Sequence, residues 1–411
     1  MICYSLFSKI LIGICLLGMG WQTGFAKSST KTFPVRELTL PVTGISQQHH
    51  LAKTADGRLI VSWVERDEQS STVRFSVWDK KKWLPVQTVL KVAGKLGAPP
   101  VVLGLNDGAL AAAWMPYVPN STDKYAADIY VARSEDGGIS WGKAFKPYGD
   151  AARIYDAQMS LTALLDGKLA LVWTDMRYVS HEPNHDMKAN RFQLMATVID
   201  KQALPTPEIT LDNDVCSCCS VFTDAQGDNL VSVYRDHTID EIRDTSAVRW
   251  TPQKVIGATR VHDDHWHIEG CPSNGPAVAL FNKQVAVAWF SAADGIGRVK
   301  LGFSKDGGEH FATPIEIDAN ANGYADTLFL DDGSALVSWR ARVGAEDALR
   351  IARVSQSGRV TQQSTIYQGS FPKWPSRHLS LKRIGKEVFI AWTDPVQKKV
   401  RLAVIKLTKR T

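Results

Sequence analysis

The stretch Asp166-Gly167-Lys168-Leu169-Ala170-Leu171-Val172-Trp173 joins a tight polar turn to an apolar run that ends at tryptophan. Asp-Gly tolerates the positive φ of a type I′ turn, and short apolar runs around such a turn predict a β-hairpin. The pattern occurs seven times, at intervals of 50 to 61 residues. The copies end at Trp63, Trp114, Trp173, Tyr234, Trp289, Trp339 and Trp392.

A third apolar segment follows most copies, as at 73–78 and 298–304, and a weaker, more polar fourth segment comes next. Four antiparallel strands in about 50 residues are typical of a propeller blade. The repeat therefore predicts an all-β, seven-bladed β-propeller, with a six-bladed ring as the alternative. The last copy ends before a fourth strand, and we expect residues 35–41 to supply it and close the ring.

The N-terminus has the pattern of a signal peptide. Lys9 precedes an apolar run over 10–20, and Gly24-Phe25-Ala26 is a small-residue cleavage site. We expect residues 1–26 to be removed, leaving 27–411 as a single propeller domain that is secreted or periplasmic. A lipoprotein modified at Cys15 and an uncleaved anchor are the alternatives. No later segment is long and apolar enough to cross a membrane.

The net charge of +6 is spread along the chain without a block of Lys and Arg. A nucleic-acid partner is therefore not expected. The 44% of hydrophobic residues provides for a large core and argues against disorder.

Two short motifs carry a family resemblance. Residues 134–141 (SEDGGISW) and 304–311 (SKDGGEHF) resemble the Asp-box of sialidase-like propellers, also called the BNR repeat. In such a turn the Asp bonds backbone N–H groups, Gly supplies unusual dihedral angles, and the aromatic residue packs between blades. The resemblance implies a structural role for these turns and a functional site near the axis on the opposite face.

Four cysteines remain after the predicted cleavage, and they occur in two segments that lead into blades four and five. They are Cys216, Cys218, Cys219 and Cys271. In the segment that leads into blade five, Cys271 is preceded by three histidines, namely His262, His265 and His267. Thiolates beside imidazoles suit Cu(I) or Zn(II), whereas an oxidising compartment favours disulfides, for example one from Cys271 to the other three. A metal site, disulfides and a reactive thiol all remain open.

Charged residues follow the second strands of several blades. In sialidases three arginines hold a carboxylate, a Tyr activated by Glu is the nucleophile, and an Asp is the acid/base. The resemblance implies Arg177, Arg235 and Arg243 as the triad. It also implies Asp236 or Asp175 as the acid/base, and Tyr234 or Tyr178 with Glu241 as the nucleophile pair. Ion pairs that brace the loops are the alternative interpretation.

Three functions stay open at this point. The first is a sialidase-like glycoside hydrolase, lyase or binding protein for an anionic glycan. The second is a metal-dependent enzyme or metal-handling protein that uses the cysteines and histidines. The third is a propeller without catalytic activity that binds a protein partner. The chain lacks an Arg-Ile-Pro near the mature N-terminus, where sialidases carry their first triad arginine.

Overall fold

The computed structural model describes residues 31–121, 123, 125–149, 153–155, 157–177, 179, 192–369, 371 and 379–407. The predicted signal peptide and Tyr178 lie outside this part of the chain. The described residues form seven antiparallel sheets around a common axis, and the only helical element among them is a single 3-10 turn, Leu165–Gly167. No described helix has the length and apolarity needed to cross a bilayer.

The sheets follow one another along the chain, one for each copy of the repeat. The first strand, β1 (Val35–Glu37), precedes blade one. Blade one contains β2 (Ser46–Lys53), β3 (Leu59–Arg66), β4 (Ser70–Trp78) and β5 (Gln87–Ala93). Blade two contains β6 (Val101–Gly104), β7 (Leu110–Trp114) and β8 (Tyr130–Ser134). Blade three contains β9 (Met159–Ala163), β10 (Leu169–Asp175), β11 (Gln193–Ile199) and β12 (Ile209–Asp212).

The second half of the disc repeats this order. Blade four contains β13 (Phe222–Gln226), β14 (Asn229–Arg235), β15 (Thr245–Thr251) and β16 (Lys254–His262). Blade five contains β17 (Ala277–Phe281), β18 (Gln284–Ser291), β19 (Arg298–Ser304) and β20 (Ile315–Asp318). Blade six contains β21 (Ala321–Phe329), β22 (Ala335–Val343), β23 (Glu346–Val354) and β24 (Val360–Gly369). Blade seven contains β25 (Ser380–Ile384), β26 (Glu387–Asp394) and β27 (Lys399–Lys406).

The predicted number of blades is confirmed. Six sheets have four strands, and blade two has three, with a single bridge between Val131 and Phe145 where its fourth strand would pair. The first strand of each blade lies nearest the axis, and β2 packs against both β6 and β25. The second strands are the most buried, because they are covered by neighbouring blades on both faces.

The predicted closure by an N-terminal strand is also confirmed. β1 pairs with β27, with Val35 opposite Ile405 and Glu37 opposite Ala403. Leu38 continues this edge by donating its N–H to the Leu402 carbonyl at 2.9 Å. Blade seven therefore has its fourth strand from the opposite end of the chain, which leaves β27 without a free edge.

Four of the tryptophans that end second strands anchor their blades through one polar contact each. Trp63, Trp173, Trp289 and Trp339 are fully buried. Each indole N–H donates to a carboxylate, and the acceptors are Glu65, Asp175, Asp264 and Asp318. In these four blades the buried tryptophan therefore also orders the acidic residue that accepts its N–H.

Side chains of the inner strands lock neighbouring blades together at the axis. Asp224 in blade four accepts the N–H of Leu280 in blade five at 2.8 Å. Asp326 in blade six accepts the N–H of Leu381 in blade seven at 2.7 Å. Burial lowers the pKa of the nearby Lys382, which interacts with both carboxylates. These contacts satisfy inner-strand groups that have no sheet neighbour on the axial side.

Both Asp-box-like motifs form tight turns after third strands. Asp136 accepts the Ser140 N–H at 2.9 Å and Asp306 accepts the His310 N–H at 3.0 Å. Trp141 packs edge-on against Phe75 of blade one, with ring centroids 6.3 Å apart. The propeller fold expected from these motifs is thus confirmed, and the aromatic side chain of the first motif lies between blades one and two.

Candidate functional site

The site lies where three loops of blades four and five meet. We define the upper face as the one that carries the loops leading into first strands and those following second strands. The three loops span 215–219, 236–244 and 263–276. Hydrogen bonds from Cys216 N to Arg235 O (2.9 Å) and from Arg243 N to Trp266 O (2.8 Å) hold them together.

A glycine permits the closest approach between these loops. A Cβ atom at Gly275 would lie 2.0 Å from the backbone oxygen of Ser220. No real side chain tolerates this distance, so only glycine lets the segment after Cys271 lie against the segment after Cys219. Sequence reasoning did not single out Gly275, because its requirement arises from a contact 55 positions away.

The four cysteines, which we call the cysteine cluster (Cys216, Cys218, Cys219 and Cys271), come together at this junction. Cys218 and Cys271 form a disulfide, which confirms the predicted bridge from Cys271 to the other three. Cys216 and Cys219 are free thiols and are buried. The sulfur of Cys216 lies 3.4 Å from that of Cys218 and 3.4 Å from that of Cys219. Cys271 is exposed, so the cluster connects a buried dithiol with a disulfide at the surface.

The surroundings of the two free thiols differ. A hydrogen bond with Cys219 lowers the pKa of Cys216; burial opposes this, and the charges of Arg243 and Arg235 lower it further. Burial, together with the neighbouring Cys216, raises the pKa of Cys219. The two residues form a Cys-x-x-Cys pair in which the pKa of the first thiol lies below that of the second.

Arg235 is fully buried, and its guanidinium hydrogen-bonds backbone carbonyl groups. Its guanidinium donates to the carbonyls of Asn274 (2.8 Å), Arg243 (2.7 Å) and Phe290 (2.8 Å). It also stacks on Trp266, with 4.7 Å between Cζ and the ring centroid. The predicted triad arginine therefore ties two of the three loops to β18, and these donors are directed at protein carbonyls.

Arg243 connects the thiols to a chain of charged groups. It hydrogen-bonds the sulfur of Cys216 and pairs with Glu241 at 2.6 Å. Glu241 lies 3.3 Å from Nε2 of His237, whose Nδ1 is 2.7 Å from Asp214. Burial alone would raise the pKa of Glu241, but its hydrogen bond with Arg243 and the nearby charges lower it.

The predicted nucleophile pair is not formed by Tyr234 and Glu241. The Tyr234 hydroxyl donates to Asp212, and burial with that carboxylate raises the pKa of the phenol. Glu241 is occupied by Arg243 and His237 instead. Strand alternation explains the difference, because Tyr234 points into the core between blades three and four, away from its neighbour Arg235. The catalytic role assigned to both residues stays a prediction.

Asp236 is the carboxyl group of this region with the features of an acid/base. It accepts hydrogen bonds from the Ser246 hydroxyl group at 3.2 Å and from the N–H of His237 at 2.9 Å. Burial and the neighbouring Asp212 raise its pKa to about 6. Its alternative, Asp175, is buried and paired with both Trp173 and Arg177.

Arg177 lies on blade three in a separate ion-pair group. It pairs with Asp175 at 2.7 Å and with Glu208, and only 7% of its side chain is exposed. Its guanidinium lies 5.5 Å from the Tyr148 ring centroid. These contacts agree with the alternative interpretation, in which the charged residues form ion pairs that brace the loops.

The three histidines are not joined to the cysteine cluster. Among the described residues, the one group of three ligand atoms close enough to share a metal comprises Cys216, Cys218 and Cys219. His265 and His267 are exposed, and His262 lies beside Trp289 with 6.4 Å between ring centroids. As metal ligands, His262, His265 and His267 therefore stay predictions without supporting geometry.

A second feature of the upper face was not found from the sequence. A groove of about 590 Å³ lies between β5 of blade one and the ends of β7 and β8 in blade two. Its lining includes Trp114, Tyr117, Tyr130, Asp128, Lys146 and Arg153. Asp128 is 2.9 Å from Lys146 and 3.6 Å from Arg153, so two cations face one carboxylate. Loop residues of unrelated spacing form the groove, and no motif marks them.

Fold and site together define a seven-bladed β-propeller with a redox-capable cysteine cluster on its upper face. No protein-family profile and no curated protein matches the chain. Solved structures similar to it include a Dyadobacter fermentans protein of unknown function, with a TM-score of 0.50, 13% identity and coverage of 91% of this chain and 99% of that chain. They also include an α-L-arabinanase of Penicillium chrysogenum, with a TM-score of 0.47, 13% identity and coverage of 76% and 94%.

A leech intramolecular trans-sialidase is a further similar structure, with a TM-score of 0.44, 10% identity and coverage of 86% of this chain and 83% of that chain. At identities this low the likeness concerns the fold alone. The function of this chain has to be argued from its own site.

Proposed function

We propose that this protein is an exported thiol–disulfide relay, in which the cysteine cluster passes a disulfide between a buried and an exposed position. The observation that carries the proposal is the position of the Cys216 sulfur, 3.4 Å from the bridged Cys218 and 3.4 Å from Cys219. Exchange requires a thiolate in contact with a disulfide sulfur. An oxidising compartment outside the cytosol suits such chemistry.

The relay consists of two exchange steps. The Cys216 thiolate attacks Sγ of Cys218, a Cys216–Cys218 bond forms, and Cys271 leaves as a thiolate. Cys219 then loses its proton and attacks Sγ of Cys216, which releases Cys218 as a thiolate that takes up that proton. The oxidation state of the protein is unchanged, and the exposed Cys271 is left reduced to meet a disulfide of a partner protein.

The surroundings support the direction of the first step. The hydrogen bond and positive charge of Arg243 stabilise the attacking thiolate, and Arg235 adds a second positive charge. The leaving sulfur belongs to the exposed Cys271, where water stabilises a new thiolate.

Alkylation of the folded protein tests the relay. Treatment with iodoacetamide should label Cys271 although it starts in a disulfide, and peptide mapping should find the disulfide moved to Cys216 and Cys219. In Cys216→Ser, Cys271 should stay protected. In the matched variant Cys219→Ser, Cys271 should still be labelled, with the bond retained between Cys216 and Cys218. Equal labelling of Cys271 in wild type and Cys216→Ser would contradict the proposal, provided circular dichroism shows both folded.

A second candidate function, binding of an anionic glycan, is favoured by the groove between blades one and two. Its volume of about 590 Å³ lies within the range of small-ligand sites. The aromatic side chains of the groove suit the apolar faces of sugars. Lys146 and Arg153 carry two positive charges against the one negative charge of Asp128, which leaves one positive charge for a carboxylate or sulfate. The predicted axial site is less well supported, because Arg235 and Arg243 are engaged within the protein.

Calorimetric titration with 3′-sialyllactose and with trigalacturonate tests this second function. We expect Arg153→Ala to weaken binding of the recognised sugar at least tenfold, since 46% of this side chain is exposed toward the groove. Arg383→Ala removes a comparable surface arginine on blade seven and should leave the affinity unchanged. No binding of either sugar, or equal affinity in both variants, would reject the groove as a glycan site.

A further inference from the structure

The cysteine cluster places three sulfurs close enough together to bind one metal ion. The sulfurs of Cys216, Cys218 and Cys219 all lie within 4.8 Å of one another. In the oxidised form Cys218 is bonded to Cys271, so only two of these sulfurs are free. Reduction of that disulfide would free a third thiolate without requiring the loops to move.

We propose that the reduced cysteine cluster binds one Cu(I) through Cys216, Cys218 and Cys219, and that formation of the Cys218–Cys271 disulfide releases the ion. The inference rests on the proposed function only in requiring that this disulfide can be reduced in the folded protein. It does not require exchange with Cys216.

The choice of ion follows from the donor set. Thiolate sulfur prefers Cu(I) among the common ions, and Cu(I) accepts three such ligands, whereas structural zinc requires four. The described histidines, which would favour zinc or Cu(II), do not join the group. Cys216 and Cys219 are at most 1% exposed, which protects a bound Cu(I) from oxidation and from water.

The charge around the cluster suits this assembly. One Cu(I) with three thiolates carries two negative charges in excess. Arg235 and Arg243 act on Cys216 with two positive charges, and Arg243 also hydrogen-bonds its sulfur. Glu241 is paired with Arg243, so the two arginines offset only part of this negative charge, which lowers the cost of burying it.

Oxidation couples the ion to the disulfide. Cys218 and Cys271 transfer two electrons to the disulfide of a partner protein, which becomes a dithiol. One of its protons comes from Cys271 and the other from water, because Cys218 is bound to the ion as a thiolate. A Cys218–Cys271 bond then replaces one metal ligand. Two sulfurs remain for the ion, and its affinity falls.

Competition with bicinchoninate for Cu(I) under nitrogen tests the inference. Protein reduced with a phosphine should bind one Cu(I) per chain, at least 100-fold more tightly than the oxidised protein. Reduced Cys218→Ser should bind at least tenfold more weakly than reduced wild type. Reduced Cys271→Ser should match wild type, since Cys271 is not a ligand. X-ray absorption of the complex should show sulfur neighbours only.

Equal Cu(I) affinity in the oxidised and reduced proteins would overturn the inference. So would equal binding by Cys218→Ser and Cys271→Ser, or tighter binding of Zn(II) than of Cu(I). The alkylation experiment reports on exchange alone. Failure of copper binding with intact exchange therefore rejects this inference, and the reverse result rejects the relay.

Discussion

At the scale of single residues, the main lesson concerns arginines that resemble a binding triad. The guanidinium of Arg235 donates four hydrogen bonds to backbone carbonyls of three different segments, and the residue has no exposed surface. Arg243, by contrast, reaches a thiol and a carboxylate. Residue type and position along the chain are similar for both, but their roles differ because their side chains point to different surroundings.

Replacing Arg235 by Lys should destabilise the protein by about 3 kcal/mol or more. A lysine cannot satisfy carbonyls of Asn274, Arg243 and Phe290 together, and buried acceptors left unpaired are costly. Urea denaturation gives the free energy of unfolding. The control Arg383→Ala removes an ion pair with the exposed Asp331 and should cost under about 1 kcal/mol. Equal losses in the two variants would show that Arg235 does not brace the loops.

Asp326 should make the stability depend on pH. Burial at the axis raises its pKa from 3.8 to about 6. Hydrogen bonds from the N–H groups of Leu381 and Thr327 lower the pKa and offset only part of this rise. The folded state thus holds this proton more tightly than the unfolded chain. The resulting stabilisation is complete below pH 3.8 and is lost as the pH rises through about 6.

The measurement compares wild type with Asp326→Asn, which cannot ionise. The unfolding free energy of wild type minus that of the variant should fall by up to about 2 kcal/mol between pH 4 and pH 7. Asp228→Asn, on the exposed turn between β13 and β14, serves as the control because it removes a solvent-exposed carboxyl group. A flat difference for Asp326→Asn would contradict a protonated, buried carboxyl.

At the scale of elements, the loops on the upper face matter more than the strands. The strands repeat, but the three loops of blades four and five hold the cysteine cluster through loop-to-loop hydrogen bonds. Asp244 contributes by accepting the N–H groups of His265 and Trp266 at 3.0 and 2.9 Å. The exposed Cys271 is therefore positioned by residues of another blade.

Gly275→Ala should disturb the disulfide without unfolding the propeller. The new Cβ would collide with the Ser220 backbone, which pushes the Cys271 loop away from Cys218. We expect the free thiols of the purified, denatured protein to rise from two toward four per chain, as counted with Ellman's reagent. Gly44→Ala meets no atom within 4 Å and should keep two free thiols. An unchanged count in Gly275→Ala would show that the loop absorbs the methyl group.

At the scale of the whole molecule, the ring depends on joining its two ends. β1 completes blade seven, and Glu37 forms a two-pronged ion pair with Arg401 of β27. Phe33, Leu38 and Leu40 are buried beside it. A propeller without this strand would expose the unpaired edge of β27.

Removal of residues 27–41 should lower the thermal midpoint by several degrees and promote self-association. Both effects follow from lost apolar burial and from the free edge of β27. Calorimetry and size-exclusion chromatography measure them. The variant Arg36→Ala changes an exposed side chain of the same strand and should behave like wild type. A truncated protein that stays monomeric with an unchanged midpoint would show that the closure is dispensable.

Much of the architecture could be predicted from local patterns. The Asp-Gly turns, the apolar alternation and the repeated tryptophans predict seven blades, because hairpins are specified by residues close together in sequence. The closing strand followed from counting, since the last repeat lacked one. The bridge between Cys271 and the other cysteines was one of the predicted alternatives. Its partner, Cys218, could not be chosen from spacing, because three sulfurs occur within four positions.

The chemistry of the site, in contrast, is a property of the assembled disc. The chain alone shows which blades exist and which loops share a face, since strand periodicity and turns are local. The contact between Cys216 and the Cys218–Cys271 disulfide, the engagement of Arg235 by carbonyls, and the groove beside blade two arise only when distant loops pack together. Such contacts depend on how blades are oriented around the axis, and no short stretch of residues encodes that orientation.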